Sequence, residues 1–221
     1  MVRRFFKTVL IVTVFSVCEK FLGFLYRIYL SRTIGAEGVG LYQVALSVFA
    51  FLLTLSCSGT PITVSRLMTK YDSENKKDRI FKVVTAGIVF TLIISSVICL
   101  LGFILKQYLG VIFADDRCIS IFLIVLPGII FTSVYAVLRG VFWGNKDFLS
   151  YSVIELLEEV CMIIVGIALI SFSSDVFKGT FSAGIAVLIS YVFSFFSQFC
   201  AVKNCTRCNF HKFLPSAFLF M

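Results

Sequence analysis

Charge is what this sequence has least of. Asp, Glu, Lys and Arg make up 14% of its 221 residues, where an ordinary soluble domain carries about 25%. A water-soluble globule would have too little polar surface to cover itself, so a soluble enzyme is nearly excluded. Histidine occurs once, no nucleophile has a recognisable base beside it, and there is no glycine-rich phosphate loop. No catalytic residue is therefore assigned, and no cofactor is implied. A signal-peptide cleavage site is missing too. The start, MVRRFFK, has the charge layout of a secretory signal, but its apolar run continues through Glu19 and Lys20 to Arg32 without small-residue punctuation, so it is read as a first membrane span. No linker is long enough to lead to a second domain.

Apolar residues fill the space left by charge. Hydrophobic residues reach 59% with 26 Phe and 8 Tyr, and the mean hydropathy of +1.01 excludes disorder, coiled coil and collagen together. About 20 apolar residues are needed to cross a hydrocarbon core as helix. Six such segments are present, at Thr8 to Ser31, Leu41 to Ser65, Val83 to Leu105, Cys118 to Leu138, Val153 to Phe172 and Gly179 to Val202. The connectors between them carry turn residues and charge: GAEGVG, YDSENKKDR, ADDR, GNKD and SSD. The expected fold is all-α, a multi-pass bundle of six transmembrane helices forming one domain over residues 1–221.

The net charge of +8 does not indicate nucleic acid, because the basic residues sit in short loops between apolar runs rather than on one solvated face. They report orientation instead. With the N-terminus cytoplasmic, fourteen of the twenty Lys and Arg fall inside, among them Arg66 and Arg139, while Arg32, Lys106, Arg117 and Lys178 fall outside. Both termini are thus expected on the cytoplasmic side of the cytoplasmic membrane. Cys18, Cys57, Cys99 and Cys161 lie within apolar runs and read as small packing residues. Cys200, Cys205, Cys208 and His211 form C-x4-C-x2-C-x2-H, but the second half of a zinc motif is absent and no metal site is assigned.

Charges inside a membrane segment are costly and usually face a bundle interior or aqueous cavity, which directs attention to the first span. At about 100° per residue, Thr13, Ser16, Glu19, Lys20, Gly23, Arg27 and Ser31 share one stripe. Lys20 and Arg27 are the candidate anion-binding residues; the competing reading makes Lys20 and Glu19 a structural pair, with Arg27 reaching to headgroups. Glu155, Glu158 and Glu159 share one face near the start of the fifth span. Glu158 or Glu159 could pair with Lys20 across a cavity and, with Glu19, form an ion or proton relay. Carboxylates near a helix N-terminus are also favoured by its dipole alone. In the second span, Gly59 and Pro61 of CSGTP predict a kink or hinge, since proline cannot donate the backbone bond.

GFLYRIYLSRTIGAEGVGLYQ at Gly23 to Gln43, LLTLSCSGTPITVSRL at Leu52 to Leu67 and VLRGVFWGNKD at Val137 to Asp147 resemble the opening of the stage V sporulation protein B group. That group is a polysaccharide biosynthesis and oligosaccharide-flippase family within the multidrug, oligosaccharidyl-lipid and polysaccharide exporter superfamily. The resemblance implies two helical lobes around a central cavity that move a polyprenyl-diphosphate-linked sugar outward. It also implies that first-helix cations face the diphosphate: Arg27 occupies a comparable position and Lys20 shares its stripe. Arg66 and Arg139 match basic family positions, although the inside bias of positive charge explains them better. Family members carry roughly twice as many spans, so the chain resembles the N-terminal lobe alone and is expected to be a truncated member, a fragment or a half-transporter that forms a homodimer. Two further readings stay open: a lobe of an ion-coupled drug exporter, and a non-transporting membrane subunit of a polysaccharide synthesis complex.

Overall fold

The computed structural model describes residues 2–111, 113, 115–172 and 176–204, and the regular structure among them is entirely helical. In chain order the helices are α1 (Val2–Thr33), α2 (Gly35–Cys57), α3 (Thr60–Ser73), α4 (Lys77–Ile104), α5 (Asp116–Val125), α6 (Gly128–Gly144), α7 (Phe148–Ser171) and α8 (Val176–Asn204). A 3-10 segment, Leu105–Val111, follows α4. Long runs of Leu, Ile, Val and Phe keep each helix going, and short polar turns end it. Gly35, at φ +72°, lets α2 begin two residues after α1 ends, a backbone region that side chains with a Cβ rarely adopt. Asp115 caps α5 by accepting the Arg117 N–H at 2.9 Å, and Asp147 caps α7 by accepting from Ser150 N at 3.3 Å.

The chain is a multi-pass membrane protein. Four helical units are long and apolar enough to cross a membrane: Val9–Thr33, Gly35–Ser73, Lys77–Tyr108 and Phe177–Val202. The pair α5 and α6, bent by 43°, makes a fifth. The sequence pattern had predicted one uninterrupted span from Cys118 to Leu138, but the α-helix stops at Val125 and restarts at Gly128, with Pro127 at the restart. A proline there has no N–H to continue the ladder. The fifth predicted span, Val153 to Phe172, falls on α7, 24 residues long; it is long enough to cross, and its three carboxylates Glu155, Glu158 and Glu159 set it apart from the other predicted spans. Among the described residues, four to five spans satisfy both length and apolarity, against the six expected.

The second predicted span runs further than expected, because α2 and α3 form one unit of 39 residues. At about 1.5 Å per residue this is nearly twice the thickness of a hydrocarbon core, so the C-terminal end of α3, with Lys70 and Asp72, extends beyond it. The helix is interrupted at Ser58 and Gly59, which keep right-handed φ/ψ of −57°/−36° and −86°/−14°. Pro61 sits in the first turn of α3, where its missing N–H is best tolerated.

Helix α6 lies at the centre, touching α2, α3, α4, α7 and α8, while α7 and α8 form an antiparallel hairpin and α1 packs on α7 and α2. Two apolar cores result. One joins Tyr42, Phe49, Ile121, Phe122, Leu126 and Ile129; the other joins Val64, Met68, Val84, Val137, Val141 and Phe142. In lipid, helix association rests on close van der Waals packing and small interfacial residues. Gly140 shows this: a Cβ there would lie 2.8 Å from the Pro61 carbonyl oxygen and 2.9 Å from Val64 Cβ, so α3 and α6 meet backbone to backbone. Helix α1 stands at the other extreme, with Leu10, Val14, Val17, Phe21 and Phe24 all more than half exposed.

Candidate functional site

The polar stripe of α1 is divided by the way the helix packs. One edge is covered: Glu19, 16% exposed, Gly23, Tyr26 and Leu30 form a ridge at helical spacing, and the latter two are buried. Two glycines permit the contact with α7. A Cβ on Gly166 would fall within 3.1 Å of the Tyr26 ring, and one on Gly23 would lie 2.8 Å from Glu159 Oε1. The other edge is open. Thr13, Ser16, Lys20, Arg27 and Ser31 are exposed, and Val12, Thr13, Ser16, Val17, Lys20, Phe21 and Phe24 line an open groove of about 580 Å³.

Lys20 donates to its neighbour Glu19 at 2.8 Å, with its own side chain 81% exposed. The expected pair between Lys20 and Glu158 or Glu159 is not formed. Glu158 turns instead toward α8, where its Oε2 accepts from Ser194 Oγ at 2.6 Å. Glu159 faces α1 close to Gly23, and the charges of Glu19, Lys20 and Arg27 all reach it. The three carboxylates expected to form a relay therefore divide between two interfaces: Glu19 and Glu159 between α1 and α7, Glu158 between α7 and α8. Arg27 makes no ion pair among the described residues.

A second arginine is placed quite differently. Arg139, in the last turns of α6, bonds Glu155 Oε1 at 3.0 Å, and its guanidinium lies 5.2 Å from the Tyr135 ring centroid and 5.0 Å from that of Tyr151. The Tyr151 hydroxyl donates to the same Glu155 oxygen. The inside bias of positive charge, which was the better explanation of Arg139 from sequence, misses this setting. The charge is sandwiched between two aromatic faces and paired with a carboxylate one helix away. Only the alignment of α6 with α7 brings residues 139 and 155 together, so periodicity within either helix gave no signal. Gln198 was missed as well: it is fully buried beside this region, and neither of its amide atoms has a partner among the described residues.

Gly59 and Pro61 sit at the break between α2 and α3, as the sequence pattern places them. Of the cysteine and histidine motif, Cys200 is exposed on α8, while Cys205, Cys208 and His211 lie outside the described residues. Among the described residues no group of three His, Cys, Asp or Glu could hold a metal ion. What the site offers is fixed positive charge on an open face of a membrane helix, beside a carboxylate pair.

Comparison with known proteins gives a consistent context. A family model described as polysaccharide biosynthesis protein matches residues 5–221. The stage V sporulation protein B of Bacillus subtilis (strain 168) is 26% identical over 176 residues, which are 79% of this chain and 33% of that protein. The lipid II flippase MurJ of the same organism is 22% identical over 194 residues, 82% of this chain and 34% of that protein. The chain thus spans about one third of the length of the curated relatives it matches. No solved structure matches significantly.

Proposed function

The chain belongs to the polysaccharide biosynthesis protein family, and from that premise we propose that it acts as one lobe of a membrane flippase. Its cargo is a polyprenyl-diphosphate-linked oligosaccharide or peptidoglycan precursor, and no covalent step is involved. The observation that carries this reading is the unpaired Arg27 on the open edge of α1, one helical stripe with Lys20 and away from the lobe's own packing. A guanidinium presents a planar fork that can hold a phosphate bidentately, and Lys20 adds a point charge two turns away. An intramembrane charge that its own lobe leaves unpaired is a functional-site hypothesis by default.

In this reading the open face of α1 lines a cavity completed by a second lobe, supplied by another copy or another segment. The α2–α3 break at Gly59 and Pro61 is a hinge for opening that cavity, and Glu19 with Glu159 is the ion relay. The distribution of Lys and Arg supports an orientation in the cytoplasmic membrane with both termini inside. The test is a precursor accessibility assay in cells depleted of other flippases and expressing this protein. Outward movement of the lipid-linked precursor should be lost when Lys20→Ala and Arg27→Ala are combined. Normal outward movement in the double variant would overturn the site.

A further inference from the structure

A second groove opens on the side of the lobe away from α1, between the α2–α3 break and α4. Its volume is about 740 Å³, within the range of small-molecule sites. Its floor is apolar and buried, with Cys57 9% and Val64 3% exposed, and its rims Leu55 and Phe90 are exposed at 67% and 62%. Exposed Ile62, Val89, Ile93 and Val97 surround it, which makes this a lipid-facing surface.

The helical stripes that line the groove change character together at one end. On α3 the lining residues Thr60, Thr63 and Leu67 continue, one turn further, to Lys70. On α4 the lining residues Phe90, Ala86 and Val83 continue, one turn back toward the helix start, to Arg79. Each stripe therefore ends in a cation on the side of the α3–α4 turn. Arg79 lies 5.9 Å from the ring centroid of Tyr71 on α3, and the charges of Lys70, Lys76 and Arg79 all reach the single carboxylate of Glu74. Glu74 is engaged by Lys76 at 2.7 Å, whereas neither Lys70 nor Arg79 makes an ion pair among the described residues. Counted from Lys70 to Lys82, the turn holds five Lys or Arg against Asp72, Glu74 and Asp78.

We propose that this groove binds an anionic phospholipid, one acyl chain lying between α3 and α4 and the headgroup phosphate held by Lys70 and Arg79. An apolar slot whose two lining stripes each end in a cation has the charge order of such a lipid: the slot favours an acyl chain over a soluble phosphate, and the cations select against a zwitterionic head. The site is separate from Lys20 and Arg27 and needs only the membrane placement, so it stands or falls independently of the flippase reading.

The test is native mass spectrometry of the full detergent-solubilised chain, titrated with dioleoyl phosphatidylglycerol, dioleoyl phosphatidylcholine and glycerol phosphate. Phosphatidylglycerol should be retained at least about fivefold more tightly than phosphatidylcholine, the gain typical of one basic residue near an anionic surface. Lys70→Gln with Arg79→Gln should abolish that preference. Filling the groove with Ala86→Trp, or with Thr63→Phe if the first variant loses its helical signal, should weaken retention of both lipids. Equal retention of the two lipids overturns the proposal, as does binding of glycerol phosphate as tight as that of the lipid. So does a dimer that the groove-filling variant disrupts while lipid retention stays unchanged.

Discussion

Two arginines in membrane-embedded helices, Arg27 and Arg139, meet opposite fates in this fold. Arg139 is drawn into the junction of α6 and α7, where Glu155 and two tyrosine rings surround it. Arg27 stays on the open edge of α1 with no ion partner among the described residues. The neighbours of the first neutralise its charge and lock its geometry, which ties helices together. The second keeps its charge available, at a desolvation cost that only a solvent-filled or anion-filled surrounding offsets. Residue type alone does not separate a structural charge from a functional one; the presence of a partner across an interface does.

The contrast breaks most visibly at Glu155. Glu155→Ala leaves Arg139 desolvated beside two rings, and because the pair is 30% and 25% exposed the loss should fall at or below the lower end for buried pairs, about 2–3 kcal/mol. Unfolding in mixed detergent would read it. Arg139→Met with Glu155→Leu should recover most of that stability, since a well-packed apolar pair often replaces an ion pair without loss.

Gly140 tests the packing that holds Arg139's helix against α3. Gly140→Ala places a Cβ 2.8 Å from a backbone oxygen, and backbone cannot step aside as a flexible side chain can. A loss of about 1–3 kcal/mol is expected by the same unfolding measurement. On the open side, Lys20→Ala with Arg27→Ala should leave stability within about 0.5 kcal/mol, as surface positions do, while removing transport. Equal destabilisation by the α1 and α6 variants would erase the distinction.

The smallest effect lies outside the membrane-crossing helices, at Glu74. Its carboxyl is held below the usual carboxylate range by the Lys76 hydrogen bond and by the charges of Lys76, Lys70 and Arg79. A depressed folded-state pKa contributes stability that is present above the unfolded value and is lost as pH falls through the folded one. Acidification through and below the ordinary Glu range should therefore release this pair, with no change near neutrality because the folded and unfolded values both lie well below it. Lys76→Ala should return the carboxyl toward its ordinary value, read by carbon NMR of a Glu-labelled sample.

Much of the fold was readable from composition and periodicity. The apolar runs of α2, α4 and α8 and the longer, charge-interrupted run of α1 are long enough to identify all four as membrane helices. The break between α5 and α6 was carried by Leu126, Pro127 and Gly128 but was hidden by the apolar run around it. The extension of α2 into α3 depended on Ser58 and Gly59 staying right-handed, a choice that their sequence leaves open. The sequence shows the α1 stripe as one polar face, and the structure divides it, because which edge is covered depends on Gly23 and Gly166 admitting α7. Long-range partners leave no periodic trace: nothing within α6 or α7 pairs Arg139 with Glu155, whereas of the partners open to Lys20 the structure shows the local one, Glu19, rather than Glu158 or Glu159.

Water access along α1 tests the central claim most directly. In a cysteine-replaced background, Ser16→Cys and Ser31→Cys on the open polar edge would be compared with Leu25→Cys, which is 45% exposed on the opposite side of the same helix. Each would be treated in native membranes with a membrane-impermeant thiol reagent. If Lys20 and Arg27 line an aqueous cavity, positions 16 and 31 label readily, a polyprenyl-diphosphate-linked sugar slows that labelling, and position 25 stays protected by lipid. Equal protection of all three positions would mean that the cations of α1 face lipid or a dry partner, and would contradict the account.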